Sequence, residues 1–203
     1  MKLIPAALAL LAAPALAQTL TPEELRAQID ARLAAQNPYQ ELLNDPDPQR
    51  SLAAMEVMLD AGDPVLTKMA VEFGMLSPNP EVQRTALHGI MSTGPVLTLR
   101  LDGTGIEDPH FKGSILQWLK GSVSDEGVGH ATVAFGDWSP DLSCYVLASD
   151  GACGLTVNAE GNFLRIGGTA TVQLTLGDDG LLTGSGFLHK VETSVPMSIR
   201  LLD

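Results

Sequence analysis

The apolar residues of this chain change their spacing near Gly94, and this change most constrains the fold. Before Gly94 the apolar positions recur every three or four residues, as in amphipathic helices. After it they alternate with polar residues, as in strands with one buried face. Helices followed by many short strands predict the α+β class. We therefore expect a helical region over residues 18–94 and an antiparallel β domain over residues 95–203.

The helical region contains a short repeat of 16-residue units. In each unit a polar residue that can cap a helix precedes a proline, and an alanine follows six positions later. The three sets are Asp47, Pro48 and Ala54; Asp63, Pro64 and Ala70; and Asn79, Pro80 and Ala86. A cap followed by proline starts a helix, so each unit predicts one helix and a tight turn. The cap-Pro start and central alanine resemble HEAT-type helical arrays over residues 47–93. A small helical bundle is the alternative.

A further helix is predicted ahead of the repeat. Thr21 and Glu24 form a capping box, with proline at the first helical position between them. The apolar residues that follow are four positions apart: Leu25, Ile29 and Leu33. Because proline disrupts a helix interior, we expect this helix to end before Pro38.

The β domain is predicted from about eight short alternating runs separated by turn sequences. Three of the runs are Leu97, Leu99 and Leu101; Ala131, Val133 and Phe135; and Val195, Met197 and Ile199. Strands with one apolar face indicate an antiparallel sandwich or barrel, and the alternation fits both. Gly184-Ser185-Gly186 within one run predicts a bulge or bend.

Residues 1–17 have the layout of a secretory signal peptide. A short positive start is followed by an apolar run, and Ala15-Leu16-Ala17 gives a small-x-small cleavage site before Gln18. The run is too short to span a membrane and contains two prolines. We expect cleavage after Ala17 and a periplasmic or secreted protein.

The only two cysteines, Cys144 and Cys153, are nine positions apart. In an oxidising compartment such a pair predicts one disulfide. If the cysteines pair directly across a hairpin, Val146 faces Gly151. The spacing fits neither a C-x-x-C redox motif nor a metal site, so we expect no cofactor.

The charge of the chain excludes some partners. It carries 12 Lys and Arg against 24 Asp and Glu, a net charge of −12, and loss of Lys2 with the leader makes it more negative still. Nucleic-acid binding requires clustered basic residues, so we expect no nucleic-acid partner. The same balance argues against docking to anionic lipid.

Three common catalytic motifs are missing from the sequence: there is no P-loop, no H-E-x-x-H and no nucleophile elbow. The best catalytic arrangement is His130 with Asp137 or Asp141, which flank one predicted hairpin. His130 is out of phase with the apolar residues of its strand, so a solvent-exposed histidine is the competing interpretation.

Two weaker site hypotheses remain. Asp102, Glu107 and Asp108 share one loop and are candidate ligands for a hard cation such as calcium, although the spacing does not match an EF-hand. Trp118 and Trp138 are the only tryptophans. Exposed and paired, they would form a sugar-binding platform; we expect at least one to lie in the core.

These observations favour a secreted or periplasmic binding protein that is not an enzyme, with a protein partner in the cell envelope, for example in envelope assembly. One alternative is a hydrolase-type enzyme that uses His130 with Asp137 or Asp141. Another is a β domain that binds carbohydrate or an apolar ligand, with Trp118, Trp138, His130 and Asp137 as candidate contacts. An apolar groove on the helices would favour the first hypothesis.

Overall fold

The computed structural model describes residues 21–177 and 179–202, so the predicted leader lies outside the described residues. The described part contains N-terminal helices followed by a closed antiparallel β-barrel. The helices are α1 Pro22–Leu43, α2 Pro48–Asp60, α3 Pro64–Met75, α4 Pro80–Met91 and α5 His110–Gly113, with a π-helical turn over Ser114–Trp118. The strands are β1 Val96–Asp102, β2 Ser122–Val123, β3 Val128–Ser139, β4 Cys144–Leu147, β5 Cys153–Asn158, β6 Gly161–Ile166, β7 Ala170–Leu176, β8 Leu181–Leu188 and β9 Val195–Arg200.

Residues 39–203 form one compact unit, the second along the chain, and the described residues before Tyr39 belong to the first. Helices α2 to α4 and the strands therefore belong to one unit. Its buried residues form a single hydrophobic core that includes Met55 and Leu87 from the helices and Leu99 from β1. Among the residues described, every helix is too short or too polar to cross a lipid bilayer.

Helices α2, α3 and α4 begin at the three prolines of the repeat. In each, the capping side chain accepts a hydrogen bond from the backbone N–H two positions later: Asp47 from Gln49 at 3.0 Å, Asp63 from Val65 at 2.7 Å and Asn79 from Glu81 at 2.9 Å. Ala70 and Ala86 are fully buried, whereas Ala54 is half-buried. The likeness to a HEAT-type array stays a prediction.

Gly74 marks the closest approach of α3 to its neighbours. A Cβ atom at this position would lie 2.5 Å from the Cβ of Ala86 and 2.7 Å from the sulfur of Met55. Real Cβ contacts are longer than this. Helices α2, α3 and α4 can therefore pack this closely only because Gly74 has no side chain.

Helix α1 does not end before Pro38, and the expected boundary is therefore wrong. The helix runs from Pro22 to Leu43, with Pro38 inside it. Leu43 is buried in the core, and its carbonyl accepts a hydrogen bond from the Ser51 hydroxyl. These tertiary contacts hold the last turn of the helix, which local propensity did not favour.

The β domain closes into a barrel. The strand order is β1-β9-β8-β7-β6-β5-β4-β3, and β1 also pairs with β3, so eight of the described strands form a closed cylinder, with β2 added beside β3. The alternating residues predicted for β1, β3 and β9 are buried. An eight-stranded barrel of this kind is just wide enough for inward side chains to fill it.

The sequence predicts a bulge or bend at Gly184-Ser185-Gly186. The described pairing of β7 with β8 contains no bulge there, because its register continues without a shift. Gly184 and Gly186 instead leave room for the backbone of β7. A Cβ atom at Gly184 would collide with the Gln173 carbonyl, and one at Gly186 would collide with the Thr171 carbonyl. The observed irregularities lie between β3, β4 and β5 instead.

Cys144 and Cys153 form the predicted disulfide, with their Cα atoms 5.8 Å apart. The expected register is wrong, because Val146 pairs with Cys153 and not with Gly151. A register shift beside Val146 separates the ladder positions of the two cysteines, which are joined diagonally rather than directly across the hairpin.

Candidate functional site

The helices of the second unit carry an apolar groove of about 380 Å³. It lies between the last turn of α1 and helices α2 and α3. Its lining comprises Tyr39, Leu42, Arg50, Ala53, Ala54, Val57, Met58, Ala61 and Leu66. Val57 is 68 % exposed, and Leu42 and Tyr39 are also exposed, so the groove presents a contiguous apolar surface to solvent.

The polar groups of the groove are few. Of the described residues that line it, Arg50 alone is charged, and its guanidinium pairs with the Asp45 carboxylate at 3.1 Å. Because the Arg50 side chain is largely exposed to solvent, its ion pair contributes little stability, and the groove offers mainly apolar contacts to a partner. Val57 lies nine positions after Pro48, where the third unit has Gly89, so this exposed apolar residue is not a feature of all three units.

A second cluster joins helix α4 to strand β4. His88 Nδ1 lies 2.8 Å from the Tyr145 hydroxyl oxygen, which in turn lies 3.2 Å from the His88 carbonyl oxygen. Both contacts are hydrogen bonds when His88 carries its proton on Nδ1 and the Tyr145 hydroxyl donates to the carbonyl. Trp138 packs edge-on against both rings. Sequence reasoning missed this cluster, since nothing local links residues 57 positions apart.

Burial shifts the titration of both hydrogen-bonded partners. Desolvation, with a smaller contribution from the charge of Arg84, lowers the pKa of His88 below its ordinary value. Burial also raises the pKa of Tyr145 to about 12. Both side chains are therefore neutral near neutral pH. The cluster acts as a hydrogen-bonded contact between helix and barrel.

The structure does not bring together the residues of the hydrolase hypothesis. His130 and Asp137 lie on the same strand, β3, seven positions apart, and both are exposed. At about 3.3 Å per residue their backbones are on the order of 20 Å apart. Asp141 follows the end of this strand and is farther still. His130 faces Arg100 across the ladder with β1.

The acidic loop uses its carboxylates to hold its own backbone. Asp102 accepts hydrogen bonds from the Thr104 N–H at 3.0 Å and from Arg100 at 3.1 Å. Asp108 accepts from the N–H groups of His110 and Glu192. These hydrogen bonds, led by those from Thr104 and Glu192 respectively, lower the pKa of both carboxyls. Within the described ranges no group of three or more acidic, histidine or cysteine side chains is placed to hold a metal, Glu107 included.

Neither tryptophan is a core residue, contrary to expectation. Trp118 is 54 % exposed and Trp138 is 39 % exposed. They do not form a shared platform: Trp118 packs on His189, with ring centroids 4.9 Å apart, and Trp138 belongs to the cluster with His88. Trp118 also lines a separate cavity, together with residues of β3.

Comparison with known proteins gives no match: no family model matches this chain, and neither does any curated protein or solved structure.

Proposed function

We propose that this chain is a non-enzymatic binding protein of the cell envelope, and that its helical groove takes an apolar helix of a partner protein. The signal-like leader and the disulfide between Cys144 and Cys153 support a location outside the cytoplasm. An intact mass that starts at Gln18, measured on protein from the periplasmic fraction, tests this location. A retained leader contradicts it.

The apolar groove carries the proposal. Exposed contiguous apolar patches are among the surfaces that mark protein interaction sites, and this groove has almost no polar lining to compete with apolar contact. A groove between helices suits an amphipathic helix, which anchors apolar side chains at positions i, i+3, i+4 and i+7. The half-buried Ala54 and its small neighbours Ala53 and Ala61 leave room for such anchors. If the three units form the HEAT-like array, this groove is its binding face.

The competing functions have less support. Catalysis by His130 with Asp137 or Asp141 needs these side chains to meet. The distance between His130 and Asp137 along β3 opposes that, and Asp141 lies beyond the end of the same strand. A sugar platform needs neighbouring aromatic rings, and Trp118 and Trp138 pack in different clusters. We therefore assign binding to the helical groove, which is apolar, exposed and concave.

Site-directed photo-crosslinking tests the proposal. A benzophenone amino acid is placed at Val57 in the groove or at Phe187, an equally exposed apolar residue on β8, which serves as the matched control. We expect a discrete adduct in the cell envelope from position 57 and none from position 187. Adducts of the same kind from both positions, or none from position 57, contradict the proposal.

A binding measurement then tests the chemistry. The helix of the partner identified at position 57 is synthesised, and its affinity is measured for the native protein and for Val57→Glu and Phe187→Glu variants. A charge buried in an apolar groove is strongly unfavourable, so we expect at least a tenfold loss from the change at Val57. Phe187→Glu should change the affinity less than twofold. Equal effects of the two changes refute a role for the groove.

A further inference from the structure

The β domain holds a cavity of about 330 Å³, whose lining shares no residue with that of the helical groove. Its walls come from the π-helical turn, strand β3, the turn after β4 and the end of β6. Six of its lining residues supply its polar groups and apolar wall: Trp118, Lys120, Thr132, Val133, Ser149 and Ile166. This volume is at the lower end of the range for small-molecule sites, which run from about 300 to 1,000 Å³.

Two of these residues, Trp118 and Lys120, lie in segments with an unusual backbone conformation. Trp118 ends the five-residue π-helical turn, a rare conformation that is frequently found at functional sites. Lys120, two positions later, has a φ of 55°, in the left-handed region that a lysine rarely adopts. Such strain persists only where the surrounding structure enforces it. Here hydrogen bonds from the Leu119 N–H to the Ser114 carbonyl and from the Gly121 N–H to the Ile115 carbonyl fix the flanking residues.

Strand β3 contributes an open backbone edge to the cavity. The Phe135 N–H donates to Pro95 on the β1 side, and the Ala134 carbonyl accepts from Ala148 on the opposite side. Backbone groups alternate along a strand, so those of Thr132 also face away from β1. Pairing of β3 with β2 covers only residues 129 and 130, and pairing with β4 begins at Phe135. In the described part of the chain the Thr132 N–H and carbonyl therefore have no strand partner on this edge.

The lining combines three kinds of contact. Of the described residues around the cavity, Lys120 alone carries a charge, and it is positive in a chain with twice as many acidic as basic residues. The Thr132 N–H and the Ser149 hydroxyl are hydrogen-bond donors. Val133 and Ile166 supply apolar wall, and the indole of Trp118 supplies an aromatic face.

We propose that this cavity binds a small amphipathic carboxylate, with the anionic group at Lys120 and the Thr132 edge and the apolar body against Trp118, Val133 and Ile166. A carboxylate accepts from both an ammonium and a backbone N–H, and charge-assisted hydrogen bonds of this kind are the stronger ones. A neutral ligand of the same shape would keep the apolar contacts and lack the charge-assisted hydrogen bond to Lys120. The expected selectivity is therefore for carboxylates over their amides.

Calorimetry with defined probes tests the site on the native protein. The probes are phenylacetate, indole-3-acetate and hexanoate, each compared with its neutral amide. We expect at least one carboxylate to bind with a Kd below about 1 mM and at least tenfold more tightly than its amide. Equal affinities for every carboxylate and its amide, or no binding by any of the three carboxylates, overturn the proposal without recourse to a variant.

Two variants locate the binding. Lys120→Gln should remove the carboxylate preference, whereas Lys112→Gln on α5, outside the cavity lining, should retain it. With Trp138 replaced by phenylalanine, Trp118 is the sole tryptophan and its fluorescence should change on binding. Equal loss in both lysine variants, or an unchanged Trp118 signal at saturation, contradicts this placement. Far-UV circular dichroism checks folding, and the native carboxylate–amide comparison decides the proposal if Lys120→Gln fails to fold.

Discussion

Replacing Gly74 with alanine tests whether close helix packing holds the helical region together. The new methyl group would lie 2.5 Å from the Cβ of Ala86, which cannot rotate away, and 2.7 Å from the sulfur of Met55. Carbon atoms are at their optimum about 3.5–4.0 Å apart, so α3 must move by about 1 Å relative to α4. Met55 can adjust its flexible side chain, but Ala86 cannot.

The magnitude follows from two opposing effects. Alanine in a helix interior is more favourable than glycine by about 1 kcal/mol. Overpacking of a filled core costs about 1–3 kcal/mol, and a rigid contact between helices belongs in the upper part of that range. We expect Gly74→Ala to lower the free energy of unfolding by about 1–2 kcal/mol. Urea denaturation measures this as a lower midpoint at an unchanged m-value.

Gly113 offers the matched control. It is helical, with a φ of −62°, and a Cβ there would meet nothing within 4 Å. Gly113→Ala should therefore leave stability unchanged or raise it by up to about 1 kcal/mol. Adding Ala86→Gly to Gly74→Ala restores the missing space, so the double variant should be more stable than the sum of the single effects predicts. A Gly74→Ala variant as stable as the native protein, or strict additivity with Ala86→Gly, refutes the reasoning.

Three further predictions use the same denaturation assay. Ala70→Leu should overpack a fully buried site and cost about 1–3 kcal/mol, whereas Lys68→Leu on the exposed face should change stability by less than about 0.5 kcal/mol; equal effects would contradict the helix seam. Because burial lowers the pKa of His88, the unfolded state binds its proton more readily, so unfolding free energy should fall as the pH drops below about 6.5. His88→Gln should remove that part of the pH dependence. If unfolding free energy depends on pH in the same way in the variant and in the native protein, His88 is not its cause. Replacing both Cys144 and Cys153 with alanine opens a loop of about ten residues and should cost about 2–3 kcal/mol, and an unchanged midpoint would show that the loop closure contributes nothing.

The sequence by itself determined the local features of this fold. Asp47, Asp63 and Asn79 cap helices where the repeat predicts them, because a cap and the following proline act within one turn of chain. The alternation in β1 and β9 correctly identifies which residues are buried, because side chains of a strand alternate between its two faces. The disulfide follows from there being two cysteines nine positions apart.

The tertiary structure alone decided what depends on distant residues. Sandwiches and barrels require the same alternation, so only the pairing of β1 with β3 distinguishes them. Helix α1 continues through Pro38 because Leu43 is held in the core, a contact that outweighs local propensity. The helical groove, the His88–Tyr145 contact and the cavity beside Trp118 each combine side chains from separate elements. Their positions follow from packing, which a pattern along one segment does not encode.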